Sequence, residues 1–407
     1  MGKRHSRDKD GIMAELLAPA GDIEKLKTAL HFGADAVYAG GGFSLRADKS
    51  MDGDMAEGIR LAHEAGKKLY AAVNIYARDD DFPAIADYIK MLDASGADGI
   101  IAADPGIISL ARKCAPNLHV HVSTQANTTN SYAAAFWADM GVKRIVAARE
   151  MSIENIKRMR DMLPGDVEIE SFVHGAMCIS YSGRCLLSDY LTGRGSNRGD
   201  CAQPCRWEYT ITAGGNTPLT IGESDRGSYI LNSADMCMIE HLKELKDAGV
   251  YSFKIEGRMK TRYYCASAVS AYRAAIDAME EGRSLPPSAL EEVNKHSHRT
   301  YSTGFYFGDA KVSYETSRPA QEYDFVGIVL ARDGDEYVVE QRGRFKCGEV
   351  LETLCAESGN TAKTFTLEHM RGGDGEEITD AKLVREKVRI ICPVPMREGD
   401  MLRRRRA

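Results

Sequence analysis

A unit recurs through the first 280 residues, and it limits the possible folds more than any other feature. A helix with one apolar face ends at a glycine, and a short apolar strand begins two or three residues later. Leu16-Leu17-Ala18-Pro19 reads as the first buried strand. Asp22 is placed to cap a helix whose apolar positions are Ile23, Leu26 and Leu30; Gly33 stops it, and Ala36-Val37-Tyr38 opens the second strand. The same punctuation returns at Gly66 before strand 69–75, Gly96 before 99–102, Gly141 before 145–147 and Gly249 before 251–255. Glycine suits the left-handed residue that ends a helix. Two further strands, 119–123 and 167–172, make eight. Strands alternating with helices call for a parallel sheet, and a TIM barrel takes about 250 residues. A doubly wound sheet would carry a Gly-rich phosphate turn after its first strand, whereas the turn here is Pro19-Ala20-Gly21-Asp22. The expected fold class is α/β, a TIM-like (β/α)8 barrel over residues 13–282.

After residue 282 the pattern changes. Residues 283–322 mix Pro, Ser, Gly and Tyr and read as a linker. Short alternating strands follow at 325–330, 337–340, 349–354, 364–368 and 387–391, predicting a small all-β barrel domain over 323–402. Residues 1–12 read as a disordered leader and 403–407, with Arg403 to Arg406, as a solvated basic tail. A net charge of −6 argues against a generally basic nucleic-acid coat but leaves room for a local basic groove. There is no run of 18 apolar residues, hence no expected membrane span. The basic start is followed by no apolar signal core, so a reducing cytoplasmic setting is expected for the ten cysteines.

Four of those cysteines fall in one loop-rich stretch: Cys178, Cys185, Cys201 and Cys205, with gaps of six, fifteen and three residues. The stretch belongs to an insertion after strand seven, residues 174–232, which also holds a hairpin: Trp207 to Ile211, Leu219 to Ile221 and Tyr229 to Leu231. An insertion there lies at the carboxyl end of the barrel, where barrel enzymes place their chemistry. Disulfides need an oxidising compartment. Structural zinc favours two knuckles with two to four residues between paired ligands, which only Cys201 and Cys205 satisfy. An iron–sulfur cluster takes four thiolates and tolerates irregular spacing. Spacing alone leaves cluster, zinc and unligated thiols open. Cys114, Cys265, Cys347, Cys355 and Cys392 follow no ligand spacing and read as structural.

The same residues carry a family resemblance. Glu170-x-Phe172-x-x-Gly175-Ala176-Met177-Cys178, then Gly183-x-Cys185-x-Leu187-Ser188, Cys201-Ala202-Gln203-Pro204-Cys205 and Phe253-Lys254-Ile255-Glu256-Gly257-Arg258 resemble peptidase family U32, the collagenase-like proteins. The likeness covers about residues 13–400. Within the family it is closest to the prephenate-dependent tRNA hydroxylation group. The resemblance implies a [4Fe-4S] cluster on Cys178, Cys185, Cys201 and Cys205, prephenate as co-substrate, the tRNA anticodon loop as partner, 5-hydroxyuridine at the wobble position as product, and in some relatives a second U32-type subunit.

Candidate residues sit where strands end. Asn74, Gln125, Glu170 and Glu256 are candidates for catalysis. Arg258, Lys254, Arg149 and Asn127 are candidates for substrate binding, because the two carboxylates of prephenate need fixed cations and arginine forks suit them. Arg184, Arg194, Arg198 and Arg206 are candidates for RNA contact, with Tyr181, Tyr190 and Trp207 interleaved among them as candidate stacking surfaces. Plainer roles stand beside these: Asn74 ties down a loop, Arg149 pairs with Glu150 on the surface, Glu170 pairs with Lys254 inside the barrel, and His174 is structural. Tyr181, Tyr190 and Trp207 pack the insertion onto the barrel, and Asp235 caps a helix. A peptidase is the first alternative function, yet no H-E-x-x-H or G-x-S-x-G motif is present. An iron–sulfur or RNA-binding accessory subunit without turnover is the second.

Overall fold

A computed structural model describes residues 13–45, 51–178, 180–207, 211–213, 217–219, 234–308, 319–357 and 362–406. Eight strands close a parallel barrel: β1 (Glu15–Ala20), β2 (Ala36–Gly40), β3 (Lys68–Val73), β4 (Gly99–Ala102), β5 (Val120–Val122), β6 (Arg144–Val146), β7 (Glu168–Ala176) and, after an excursion, β11 (Ser252–Ile255). Each pairs with the next, and β11 bridges β7 and β1, so the ring has no edge. All five punctuating glycines, Gly33, Gly66, Gly96, Gly141 and Gly249, adopt positive φ, and Asp22 accepts from the Lys25 N–H as the expected cap. Helices α1 (Ile23–His31), α2 (Met55–Glu64), α3 (Phe82–Ala94), α4 (Pro105–Cys114), α5 (Ser131–Asp139) and α6 (Ile153–Met162) alternate with the strands. They bury the apolar faces that the sequence periodicity marks, as at Leu26, Ile59, Ile89 and Ile108.

The excursion between β7 and β11 holds α7 (Leu187–Thr192), the antiparallel pair β8 (Ile211–Ala213) and β9 (Thr217–Leu219), and β10 (Asp235–Cys237). The expected strand Tyr229 to Leu231 lies outside the described residues. Asp235 does not cap a helix. It opens β10, which pairs antiparallel with the end of β7, and its carboxylate accepts from Arg299 Nη2 at 2.6 Å. The next helix, α8 (Leu242–Asp247), starts later. After β11 comes α9 (Arg262–Glu280), the longest helix described and largely buried.

Residues 283–322 are more than a linker. They supply α10 (Pro287–Glu292) and β12 (Tyr301–Ser302), which extends the barrel sheet beside β10. Glu292, His296 and Arg299 are buried there. The second domain is antiparallel and all-β. Its strands are β13 (Tyr323–Asp333), β14 (Glu336–Gln341), β15 (Phe345–Lys346), β16 (Val350–Leu354), β17 (Lys363–Thr366), β18 (Met370–Arg371), β19 (Asp380–Ala381), β20 (Lys387–Ile391) and β21 (Met401–Arg405). Seven of them form one sheet in the order β17-β16-β21-β13-β14-β20-β18, around a core including Val339, Phe345, Leu351 and Ile390.

The basic tail is a strand. β21 lies inside the sheet, and Arg403 is fully buried. Its guanidinium grips Glu292 bidentately, at 2.5 and 2.6 Å, and also donates to Glu352. Two carboxylates from opposite sides of the domain junction compensate its charge, which is what permits burial. No described helix is long and apolar enough to cross a membrane.

Candidate active site

The barrel interior is polar along its axis. Glu15, at the amino end of β1, accepts from Arg144 Nη1 at 2.7 Å, Tyr70 Oη at 2.9 Å and Ser252 Oγ at 2.8 Å. Arg144 also reaches Glu170 at 3.1 Å, and Glu170 accepts from Lys254 Nζ at 2.7 Å. Glu170 and Lys254 are therefore the interior ion pair of the plainer expectation, and Glu170 has no exposed surface. Burial holds the Lys254 ammonium below its ordinary pKa, against the opposing pull of Glu170. Burial alone would raise the Glu15 carboxyl, but Arg144 and the hydroxyl donors bring it below its ordinary value. Arg144 was not singled out from the sequence. Its signal was faint: a charged residue opening a strand whose alternation faces inward.

Above this ladder lies the carboxyl mouth. The Tyr38 ring, from β2, sits 4.2 Å from Lys254 Nζ. Its hydroxyl donates to the Ile255 carbonyl at 3.0 Å and to Glu256 Oε2 at 3.3 Å. The Arg149 guanidinium lies 4.0 Å over the Phe172 ring and 3.8 Å from Glu256. Glu256, Arg149, Tyr38 and Lys254 thus converge from β11, the end of β6 and β2. Arg149 and Glu150 do not pair with each other; Glu150 instead accepts from the N–H and hydroxyl of Ser182.

Two of the other candidates, Arg258 and Asn74, hold a loop. Arg258 is turned to the segment after β2, donating to Ser44 Oγ at 3.1 Å and to the Leu45 carbonyl. A Cβ on Gly40 would lie 1.8 Å from Arg258 Nη1, so only glycine admits this approach. Asn74 accepts from the Leu45 N–H at 2.9 Å, the loop-tying role. Gln125 offers its backbone carbonyl to the Tyr76 hydroxyl at 2.7 Å. Asn127 is left-handed, at φ 56°, and its Nδ2 is buried without a hydrogen-bond partner among the described residues. Two clefts lie elsewhere: one of about 380 Å³ at the domain junction and one of about 210 Å³ at the amino end of the barrel. Neither is lined by these mouth residues.

The cysteine segment is strapped across the mouth. Ser182 and Gly183 are its inner points. Tyr76 donates to both the Gln125 and the Gly183 carbonyls, at 2.7 and 3.0 Å. Gly183 has φ 73°, and a Cβ there would meet Gln125 O at 2.1 Å. Ser196 Oγ and Asn197 Nδ2 donate to the Cys185 carbonyl at 2.8 and 3.2 Å. Arg198 clamps the segment to Asp81 through two bonds, at 2.9 and 3.1 Å. Cys178 is exposed, and Cys185, Cys201 and Cys205 are half-buried. Cys201 Sγ accepts from the Gln203 N–H at 3.4 Å. Burial pushes the Cys205 thiol up to about 11, and Cys178 adds to it, as do Cys201 and Cys185, while Arg206 opposes them. The four thiols share one electrostatic neighbourhood. Among the described residues, no three His, Cys, Asp or Glu side chains are grouped as a single metal ion would require.

His174 is structural. It is buried against His296 Nε2 at 3.2 Å and the Tyr272 hydroxyl at 3.4 Å, and burial lowers its pKa to about 3. It faces this cluster while Cys178 is exposed, so the arrangement is not that of a Cys–His dyad. Among the four arginines proposed for RNA, Arg194 pairs with Asp200 at 2.5 Å, Arg198 is the clamp, and Arg206 is half-buried beside Cys205. Arg184 is exposed and makes no ion pair among the described residues.

Comparison with known proteins agrees with this architecture. Residues 21–316 match the model of peptidase family U32, and residues 321–403 match that of the peptidase family U32 C-terminal domain. The chain is 42% identical over 383 residues to tRNA hydroxylation protein P1 of Bacillus subtilis strain 168, covering 90% of this chain and 89% of that one. It is 37% identical over 411 residues to tRNA hydroxylation protein P of Escherichia coli K12, covering 89% and 90%. Over 277 residues it is 38% identical to the 23S rRNA 5-hydroxycytidine C2501 synthase of the same organism, covering 66% of this chain and 40% of that one. With both of its domains matched in order along nearly the whole length, this chain belongs to peptidase family U32.

Proposed function

We propose that this chain is an RNA-hydroxylating enzyme. Its substrate is the wobble uridine of tRNA, converted to 5-hydroxyuridine with prephenate as co-substrate. Cys178, Cys185, Cys201 and Cys205 hold a [4Fe-4S] cluster. The coarse part of this reading is supported by the relatives: two that align along most of their length are named for tRNA hydroxylation, and a third for synthesis of a hydroxylated cytidine in rRNA. One observation of the fold favours this reading: the cysteine segment is fastened to the ends of β3, β5 and β6, beside the barrel mouth into which Arg149, Glu256, Lys254 and Tyr38 converge.

The mouth suits a dicarboxylate. The Arg149 guanidinium lies 4.0 Å over the Phe172 ring, and among the described residues it donates no hydrogen bond. A substrate carboxylate can take its fork at the cost of a loose contact with Glu256. Lys254 adds a buried positive charge below, balanced by Glu170. Glu256 Oε2, bound by the Tyr38 hydroxyl, is a place to hold a proton at the mouth. Arg258 and Asn74 shape the loop after β2 around it. In this reading the four thiols, gathered in one loop segment, are the residues that would hold the multi-iron group; burial and the neighbouring Cys178 push the Cys205 thiol up to about 11, so a cation set among them would favour its thiolate. Such a cluster, when bound, supplies electron transfer.

The test is anaerobic purification with iron, sulfide and zinc counts, beside a variant lacking the four cysteines. Nucleoside analysis of tRNA incubated with prephenate follows. About four irons and four sulfides per chain, lost in the variant together with 5-hydroxyuridine, is the expected result. Zinc or no metal, with hydroxylation retained in the variant, overturns it.

A further inference from the structure

Two aromatic residues of the cysteine segment, Tyr181 and Tyr190, do not pack it onto the barrel, the plainer of the two roles the sequence left open for them. Tyr181 is 63% exposed, Tyr190 86% and Leu186 71%. Their placement follows from the turn and helix that carry them. The turn 181–184 closes by a hydrogen bond from the Arg184 N–H to the Tyr181 carbonyl, at 2.9 Å. Its two inner residues, Ser182 and Gly183, are buried and fastened to Glu150 and Tyr76 at the barrel mouth. Its two outer residues, Tyr181 and Arg184, are exposed. Ser188 of α7 is buried and accepts from the Ala202 N–H, while Leu186, at the helix N-cap, and Tyr190, one turn on, are exposed. Between 178 and 207 the segment has four arginines against two aspartates, and no lysine or glutamate, in a chain of net charge −6.

We infer that Tyr181, Arg184 and Tyr190 form a stacking platform for unpaired RNA bases at the rim of the barrel mouth. The inference rests on the RNA-hydroxylation reading and adds to it the surface that holds the loop around the target base. A duplex offers no free base faces to such a surface. A loop offers splayed bases that stack on tyrosine planes and phosphates that meet an unpaired guanidinium. The rigid attachment of Ser182 and Gly183 holds the platform at a constant height above Arg149 and Glu256. The flanking bases are thereby held outside while one pyrimidine enters.

The experiment is tRNA binding by the purified holoprotein, at several salt concentrations, with an anticodon stem-loop and a blunt RNA duplex as further probes. Tyr181→Leu and Tyr190→Leu keep apolar area but lose the plane; each is expected to weaken tRNA and stem-loop binding about ten-fold, and Tyr181→Phe to restore it. Arg184→Ala is expected to lower the salt slope by about one. The duplex is expected to bind weakly and to be indifferent to all three. Leu variants that bind tRNA like the wild type overturn the platform while leaving the hydroxylation reading intact. Leu variants that bind tRNA normally but change the protein's oligomeric state show a protein-docking face instead. Failure of the wild type to bind any tRNA overturns both the platform and the reading beneath it.

Discussion

Arg149 shows how a fold can hold a guanidinium with its fork little engaged. Its guanidinium is partly withdrawn from water, supported by the Phe172 ring, and in only a 3.8 Å contact with Glu256. On the proposed function, replacing Arg149 by Ala is expected to raise the KM for prephenate about ten-fold or more, with a smaller change in KM for tRNA. Steady-state kinetics with each substrate varied in turn separates the two; a shift confined to tRNA would reassign the residue. Glu15 shows a different consequence of burial. Its carboxyl is held below the ordinary 4.5. Its contribution to stability is therefore fully present above that value and is lost as pH falls through the lower, folded value. Chemical denaturation of wild type and Glu15→Gln from pH 6 down to pH 3 should show the wild type's advantage shrinking with acid. A constant difference would mean that Glu15 acts through packing alone.

At the scale of elements, the cysteine segment depends on a few fasteners more than on an apolar core of its own. Gly183 is the tightest. Its left-handed conformation and the 2.1 Å approach of Gln125 O leave no room for a side chain. Gly183→Ala is expected to loosen residues 181–207 while moving the global melting temperature by only a few degrees, because the barrel closes without this segment. Limited proteolysis reads this directly, as faster cleavage within the segment at unchanged barrel resistance. The barrel elements were legible from sequence because each repeats one local rule: apolar face, terminal glycine, apolar strand. The segment's course was not, since it follows from hydrogen bonds between residues far apart in the chain, such as Arg198 to Asp81 and Ser182 to Glu150.

At the scale of the molecule, the two domains are joined through buried charge. Arg403 of β21 binds Glu292 of α10 and Glu352 of β16, and Lys295 also reaches Glu352 at 2.8 Å. His31 of α1 meets Asp400 at 2.8 Å across the same junction. Glu292→Ala leaves Arg403 buried with one carboxylate fewer. It is expected to cost about 3 kcal/mol, seen as a lower denaturant midpoint for the unit formed by α10 and the second domain. Loss of under 0.5 kcal/mol would show that water enters and compensates the charge.

The sequence by itself determined the alternating barrel, the all-β second domain and the gathering of four cysteines at the barrel's carboxyl end. These depend on short-range patterns and on the rule that such insertions crown the strands. The tertiary structure alone decided which charged residues meet. It chose the interior pairing of Glu170 with Lys254 from the two roles the sequence left open, and it turned Arg258 to a loop. It brought Arg149 to Glu256, and it buried Arg403, where the sequence showed only a run of arginines. Charge carries no periodic signature of its own. Whether a guanidinium is solvent-facing, buried or catalytic depends on which carboxylate the fold delivers to it, and that partner lies tens or hundreds of residues away.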